Sequence, residues 1–384
     1  MYFDHAATSF PKPRSVIEAT IRCMTELGGN AGRGSHPLAM AAAEKIYECR
    51  SALARHFGVG DPDRVVFTLN TTTALNTVLK GLVREGDHVL ISDLEHNAVV
   101  RPLAGMEKEG KISYSVFPSL VGEPRRNTER ILAGIALSIT PRTRMLVSTH
   151  ASNLCSVRMP IREIGELCRR QGIFFVVDGA QSAGHEHILV DEWGIDALCV
   201  PAHKGLLGPQ GCGVILLGKR IRPERMATLV EGGTGMASLE REMPMAFPER
   251  LEAGTLPTPA IAGLCEGVKI IDRLGVDAIA EHEKLLFRRA RELLGEIRGV
   301  KIYAPEDEGA VLLFSMDGIP SERVGRMLGE QGICVRCGYH CAPVGHKTLA
   351  TPEDGAVRAS FGIYNHTDEI EALAHAVREI SAGE

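Results

Sequence analysis

Between about residues 60 and 220, short continuous apolar runs alternate with longer amphipathic stretches. The runs are Arg64-Val65-Val66-Phe67-Thr68, His88-Val89-Leu90-Ile91-Ser92, Arg144-Met145-Leu146-Val147-Ser148-Thr149, Ile173-Phe174-Phe175-Val176-Val177 and Gly213-Val214-Ile215-Leu216-Leu217. Runs this short and this apolar predict strands covered on both faces, and helix-length spacers between them predict parallel crossovers. The pattern is that of an α/β protein with a large, doubly wound, mostly parallel sheet.

Beyond it, residues 231–250 are rich in glycine and methionine and show weak periodicity, as in a surface loop or hinge. Helical signals resume after Pro259, followed by strands near residues 311–315 and 332–335 and a last helix from about Asp368. This predicts a large domain over residues 21–257 and a smaller α+β domain over 258–384, with residues 1–20 packing against the smaller one.

In such sheets ligands bind beyond the carboxyl ends of the strands. The residues found there are polar: Asn70-Thr71-Thr72-Thr73, Asp93-Leu94-Glu95-His96-Asn97, His150-Ala151-Ser152-Asn153, Asp178-Gly179-Ala180-Gln181 and His203-Lys204.

Composition narrows the class of function. The 384 residues are 44% hydrophobic and 24% charged, so a large core can be buried. The net charge is −5 without a long basic run, which predicts no nucleic-acid partner and no membrane surface, and favours small-molecule chemistry. Ten cysteines are scattered along a chain that starts Met1-Tyr2-Phe3-Asp4-His5, without a basic segment leading into an apolar one. This predicts reduced thiols and a cytoplasmic protein, and no apolar run approaches the ~18 residues of a membrane span.

Asp178 and Lys204 each follow an apolar run. A lysine at a partly enclosed rim can titrate low and form a Schiff base, and a carboxylate can keep a pyridinium nitrogen protonated, so the pair suggests pyridoxal phosphate. The plain alternative is a helix cap and a solvated cation. Residues 70–73 open an amphipathic segment and are either a cap alone or a phosphate cradle. Neither GxxxxGK[ST] nor a GxGxxG after a strand occurs, so nucleotide readings lose ground.

Cys334-Val335-Arg336-Cys337-Gly338-Tyr339-His340-Cys341 gathers three thiols and an imidazole, but no second CxxC completes a metal tetrahedron, and no metal site is expected. A nucleophilic Cys341 fits at least as well, against an inert core thiol. A non-catalytic metal-binding or sulfur-carrier protein rests on this cluster alone. Arg358 is either a carboxylate clamp or a snorkelling edge residue, and His96 either lies against a cofactor ring or is a satisfied structural histidine.

Together with Tyr2-Phe3-Asp4-His5-Ala6-Ala7-Thr8, Glu252-Ala253-Gly254-Thr255 and Arg336-Cys337-Gly338-Tyr339-His340-Cys341-Ala342-Pro343, these motifs resemble, in order along the whole chain, the class V aminotransferase family. The similarity is strongest to its group II cysteine desulfurases, with selenocysteine lyases as relatives. It implies fold type I and pyridoxal phosphate, with Lys204 forming the Schiff base and moving the substrate α-proton. Asp178 is then expected on the pyridine nitrogen, Gln181 on the phenolic oxygen and His96 stacked on the ring. Thr71, Thr72 and His203 would hold the phosphate, joined by Thr255 of a neighbouring subunit in a homodimer. Asn153 and Arg358 would hold the substrate carboxylate, with Arg336 close to the persulfide-forming Cys341.

The reaction so implied converts L-cysteine to L-alanine and passes sulfur to an acceptor protein, as in iron–sulfur cluster assembly. The alternatives are selenocysteine lyase, acting on L-selenocysteine, and another aminotransferase or epimerase of the family. Three departures from the family pattern stand out. Pro201 stands where a serine or threonine donor is usual, Leu154-Cys155-Ser156 follows Asn153, and Cys337 replaces a common threonine and could resolve a Cys341 persulfide.

Overall fold

The computed structural model describes residues 1–32, 34–123, 127–306 and 309–383. The large sheet has seven strands: β1 (Val65–Thr68), β2 (His88–Ser92), β3 (Ser113–Phe117), β4 (Thr143–Thr149), β5 (Phe174–Asp178), β6 (Ala197–Pro201) and β7 (Gly213–Leu217). Their spatial order is β1-β7-β6-β5-β4-β2-β3. Strands β3, β2, β4, β5 and β6 are mutually parallel. The expectation of a parallel crossover fails at β7, which is antiparallel to both β6 and β1. Only residues 202–212, without a helix, link it to β6, and a parallel return needs a longer connection.

The four strands β2, β5, β6 and β7 are buried at every position. Helices on both faces divide the large core into two, one around Leu53, Phe57, Leu146, Phe175 and Leu264 and the other around Leu75, Leu79, Val99, Val147 and Ile215. Helix Thr258–Leu274 contributes Ile261, Leu264, Val268 and Ile271 to the first of these.

The smaller sheet is antiparallel, with β8 (Val300–Tyr303), β9 (Val311–Met316), β10 (Arg336–Gly338) and β11 (Ala356–Ser360) in the order β10-β11-β9-β8. The strand expected over residues 332–335 lies further on, at 336–338, because Gly332 takes a positive φ of 74° after helix Ser321–Glu330 and Cys334 makes only an isolated bridge to Tyr2. The Phe3 N–H donates to the Cys334 carbonyl (2.8 Å) and the Ser360 N–H donates to the Phe3 carbonyl (2.7 Å). The Phe3 ring meets Phe361 edge-on in the small-lobe core. The chain then crosses to the large lobe, where Thr8 Oγ1, Ser9 N–H and Oγ, and Lys12 Nζ all donate to the His203 carbonyl.

No helix among the described residues is long and apolar enough to cross a membrane.

Candidate active site

The strand ends converge on one cavity of about 550 Å³, including its open mouth, lined by Asn70, Thr71, Thr72, His96, Thr149, Asn153, Asp178, Gln181, Pro201, His203 and Lys204 among others. Each arrives for a local reason. Asn70 Oδ1 accepts the Thr73 N–H (2.8 Å), capping helix Thr71–Leu82, whose apolar face Ala74, Leu75, Val78, Leu79 and Leu82 is buried. The positive end of that helix therefore opens on the cavity. His96 caps helix Asn97–Lys108 in the same way, its Nδ1 accepting the Ala98 N–H at 3.0 Å, so in the neutral ring Nε2 carries the proton. Gly213 sits so close to Asn70 that a Cβ there would lie 2.4 Å from the Asn70 carbonyl carbon, which locks β7 against the cap.

Burial sets the electrostatics. It lowers the Lys204 amine to about 8, opposed by the Asp178 charge and assisted by Arg358 and Arg336. It raises the Asp178 carboxyl, while His96, the Ala180 N–H and Lys204 pull it back down. The His96 and His203 rings are both pushed below the ordinary imidazole value by burial, His203 to about 4 with help from Lys204 and Lys12. Glu95 is fully buried and raised to about 8, although the Ser92 hydroxyl and the Thr149 N–H (2.6 Å) donate to its Oε1. Near neutral pH it is therefore largely protonated and adds little negative charge beside Asp178.

Above the cavity Asp4 joins two arginines. One of its carboxylate oxygens accepts from the buried Arg358 (3.0 Å), and both accept from the half-exposed Arg336 (3.1 and 3.2 Å). Arg358 also donates to the Asn153 carbonyl (2.9 Å), and its Nε is buried without a partner. A thiolate at Cys341 lies in the field of both guanidiniums. The exposed Cys341 is tied to the large lobe by its carbonyl, which accepts the Asn97 N–H next to His96 (2.8 Å). Asn153 Nδ2 likewise donates to the His340 carbonyl (2.7 Å).

Of the residues expected from the sequence, Thr71, Thr72, His96, Asn153, Asp178, Gln181, His203 and Lys204 line one cavity. Arg336, Arg358 and Cys341 stand at its edge through the bonds just described. Thr255 does not reach it in the single chain: it lies in a separate cleft with Asn30, Tyr47 and Gly233, accepting a long bond from Asn30 Nδ2 (3.4 Å). Cys337 turns away, its sulfur so near Gly325 that a Cβ there would lie 2.3 Å from it, and burial raises its thiol to about 11. Leu154 and Cys155 are buried, and Ser156 bridges to both the N–H and the carbonyl of Val311. Asp4, Lys12 and Glu95 were not singled out from sequence. The one hint was their setting, since Asp4 and Glu95 fall inside quoted motifs and Lys12 lies between two prolines.

The donor set fits pyridoxal phosphate on structural grounds. Thr71 Oγ1 and His203 Nδ1 are buried without partners at the helix end where a phosphate would sit. A buried carboxylate, a lowered lysine amine and an imidazole share the same walls. Pro201, at the end of β6 in the cavity wall, has neither hydroxyl nor N–H to donate.

A family model, Aminotransferase class-V, matches residues 1–373, and the chain belongs to that family. Among its relatives, a probable cysteine desulfurase of Methanothermobacter thermautotrophicus is 32% identical, covering 99% of this chain and 94% of its own length. A probable cysteine desulfurase of Halobacterium salinarum is 33% identical, covering 99% and 91%. The apo structure of the Thermococcus onnurineus cysteine desulfurase superposes with a TM-score of 0.89 at 30% identity, covering 100% of this chain and 95% of that one. The fold-type-I architecture that the resemblance implied is thus present.

Proposed function

We propose that this chain is a pyridoxal-phosphate-dependent cysteine desulfurase that acts as a homodimer in the cytoplasm and hands sulfur to an acceptor protein. The carrying observation is that a lysine and carboxylate pair in one cavity is joined, through Asn97 and Asn153, to the loop bearing an exposed cysteine within the field of two guanidiniums. Thr71, Thr72 and His203 would hold the phosphate, Asp178 the ring nitrogen, Gln181 the phenolic oxygen, and His96 would cover the ring face. When bound, the cofactor supplies an electron sink for the substrate α-carbon.

The rest falls to the protein. Arg358 and Asn153 hold the substrate carboxylate, and Lys204 moves the α-proton. The Cys341 thiolate attacks the substrate sulfur: an S–S bond forms, the C–S bond breaks, and its electron pair stays with carbon, which takes up a proton. One L-cysteine and one thiol thus become L-alanine and a Cys341 persulfide. Acceptance of the persulfide sulfur by another protein, as for iron–sulfur cluster assembly, is consistent with the exposure of Cys341 and Tyr339.

Dimerisation is supported by exposed apolar side chains at Leu229, Val230, Met236, Leu239 and Met245, in the region leading to Thr255. With a second copy covering them, the resemblance assigns Thr255 to the neighbouring phosphate site. The test is to add L-cysteine and a reductant and measure alanine and sulfide, with light scattering for the oligomer. Alanine and sulfide in equal amounts from a dimer support the reading. A visible cofactor band with pyruvate or a D-amino acid as product overturns it, and a higher rate on L-selenocysteine reassigns the substrate.

A further inference from the structure

Two observations meet at the turn that carries the thiol. His340 and Cys341 are consecutive residues with positive φ, 49° and 57°, a conformation uncommon for residues other than glycine and more so for cysteine than for histidine. Beneath them runs a continuous chain of hydrogen-bonding groups. His340 Nε2 is 3.2 Å from the Arg336 carbonyl, His340 Nδ1 is 3.1 Å from His346 Nε2, and His346 Nδ1 is 2.8 Å from Thr351 Oγ1.

Chemistry fixes the direction of this chain. A carbonyl can only accept, so His340 carries its proton on Nε2; the Nδ1 of the neutral ring must then accept from His346 Nε2–H, and His346 Nδ1 must accept from the Thr351 hydroxyl. Burial favours neutral rings, lowering His340 to about 3 and His346 to about 4. The rings lie nearly parallel, at 9°. The turn is thus held from the large lobe at its two carbonyls and from the small lobe at the His340 ring.

We propose that His346, oriented by Thr351, is a positioning residue that fixes the rotation of His340, whose tautomer the Arg336 carbonyl sets, and so keeps the Cys341 turn in its left-handed conformation. Its catalytic consequence rests on the desulfurase reading above; its structural consequence does not.

The test uses the cofactor-loaded enzyme and four readouts: amide exchange over residues 339–342, alkylation of Cys341 by iodoacetamide, kcat and KM for L-cysteine, and the visible absorption band. His346→Ala is expected to speed exchange and to change the alkylation rate, and to lower kcat about tenfold or more, with KM and absorption within about twofold. His346→Gln places an N–H near the position of Nε2 and is expected to regain most of the rate. His346→Asn, one carbon shorter, replaces only the acceptor facing Thr351 and is not. Unchanged exchange and kcat in His346→Ala, or equal rescue by Asn and Gln, would overturn the proposal. Should His346→Ala fail to fold, Thr351→Val preserves the volume while removing the terminal donor, and an unchanged turn in that variant overturns the proposal equally. If the wild type makes no alanine, the desulfurase reading fails, while exchange and alkylation still decide whether His346 holds the turn.

Discussion

The lowered Lys204 amine can be read directly in protein freed of cofactor. Its value of about 8 against an ordinary 10.5 means that at pH 7.5 about a quarter of the Lys204 amine is free base. For an exposed lysine the fraction is about 0.1%, so the difference is ~240-fold. Burial is the main cause, and the Asp178 charge is the largest influence opposing it. Asp178→Asn is therefore expected to shift Lys204 below the wild-type value. Competitive labelling with trace acetic anhydride from about pH 6 to about pH 11, followed by peptide mass spectrometry, gives the midpoint for each lysine. Because the midpoint is read rather than the rate, differences in access to the cavity do not enter. A wild-type midpoint near that of the exposed lysines would refute the reasoning, as would an upward shift in Asp178→Asn.

Cys341→Ala should abolish alanine formation from L-cysteine while leaving the visible absorption band intact, since the thiol is outside the cofactor cavity. Glu252 accepts from both terminal nitrogens of the buried Arg50 and from the Phe67 N–H (2.6 Å), so Glu252→Ala should cost about 3–5 kcal/mol in denaturant unfolding by stranding a buried guanidinium. Gly205→Ala would put a Cβ 2.2 Å from the Ala183 carbonyl oxygen and 2.3 Å from His185 Nε2, and titration with pyridoxal phosphate should show weakened cofactor binding next to Lys204. Burial pushes His185 down, but the charge and hydrogen bond of Glu283 outweigh it and the ring ends up raised. The stability from this inter-lobe pair is complete below about pH 6.5 and fades as pH rises through the raised value, so melting temperature should fall on alkalinisation, with a shallower slope in His185→Gln.

The sheet was legible because buried parallel strands are nearly uniform in polarity, as in Phe174–Asp178. Strands β3 and β8 escaped notice because they carry mixed polarity, Ser113-Tyr114-Ser115 and Val300-Lys301-Ile302. The reversal of β7 was hidden because its apolar run reads identically in either direction, and only the short connection reveals it. The cavity residues were legible for a related reason: a polar group immediately after an apolar run has few places to go except the rim. What no run or spacing indicated was pairing over long separation. Asp4 meets Arg336 and Arg358, and the His340–Cys341 turn is held by Asn97 and Asn153 of the other lobe.

The placement of the first residues also constrains how the protein is made. Phe3 is made long before its backbone partners Cys334 and Ser360, which lie far downstream in the chain. Until β11 emerges, Phe3 has no core to enter and Asp4 has neither arginine to bind. Contacts of such separation form late, after the loop-closure cost between them has been met. The large lobe can acquire its strands in order, but the cavity around Lys204 and the cysteine loop are brought together only after residues 336–360 have been made. Folding of the large lobe therefore runs ahead of the contacts that join the cysteine loop to it.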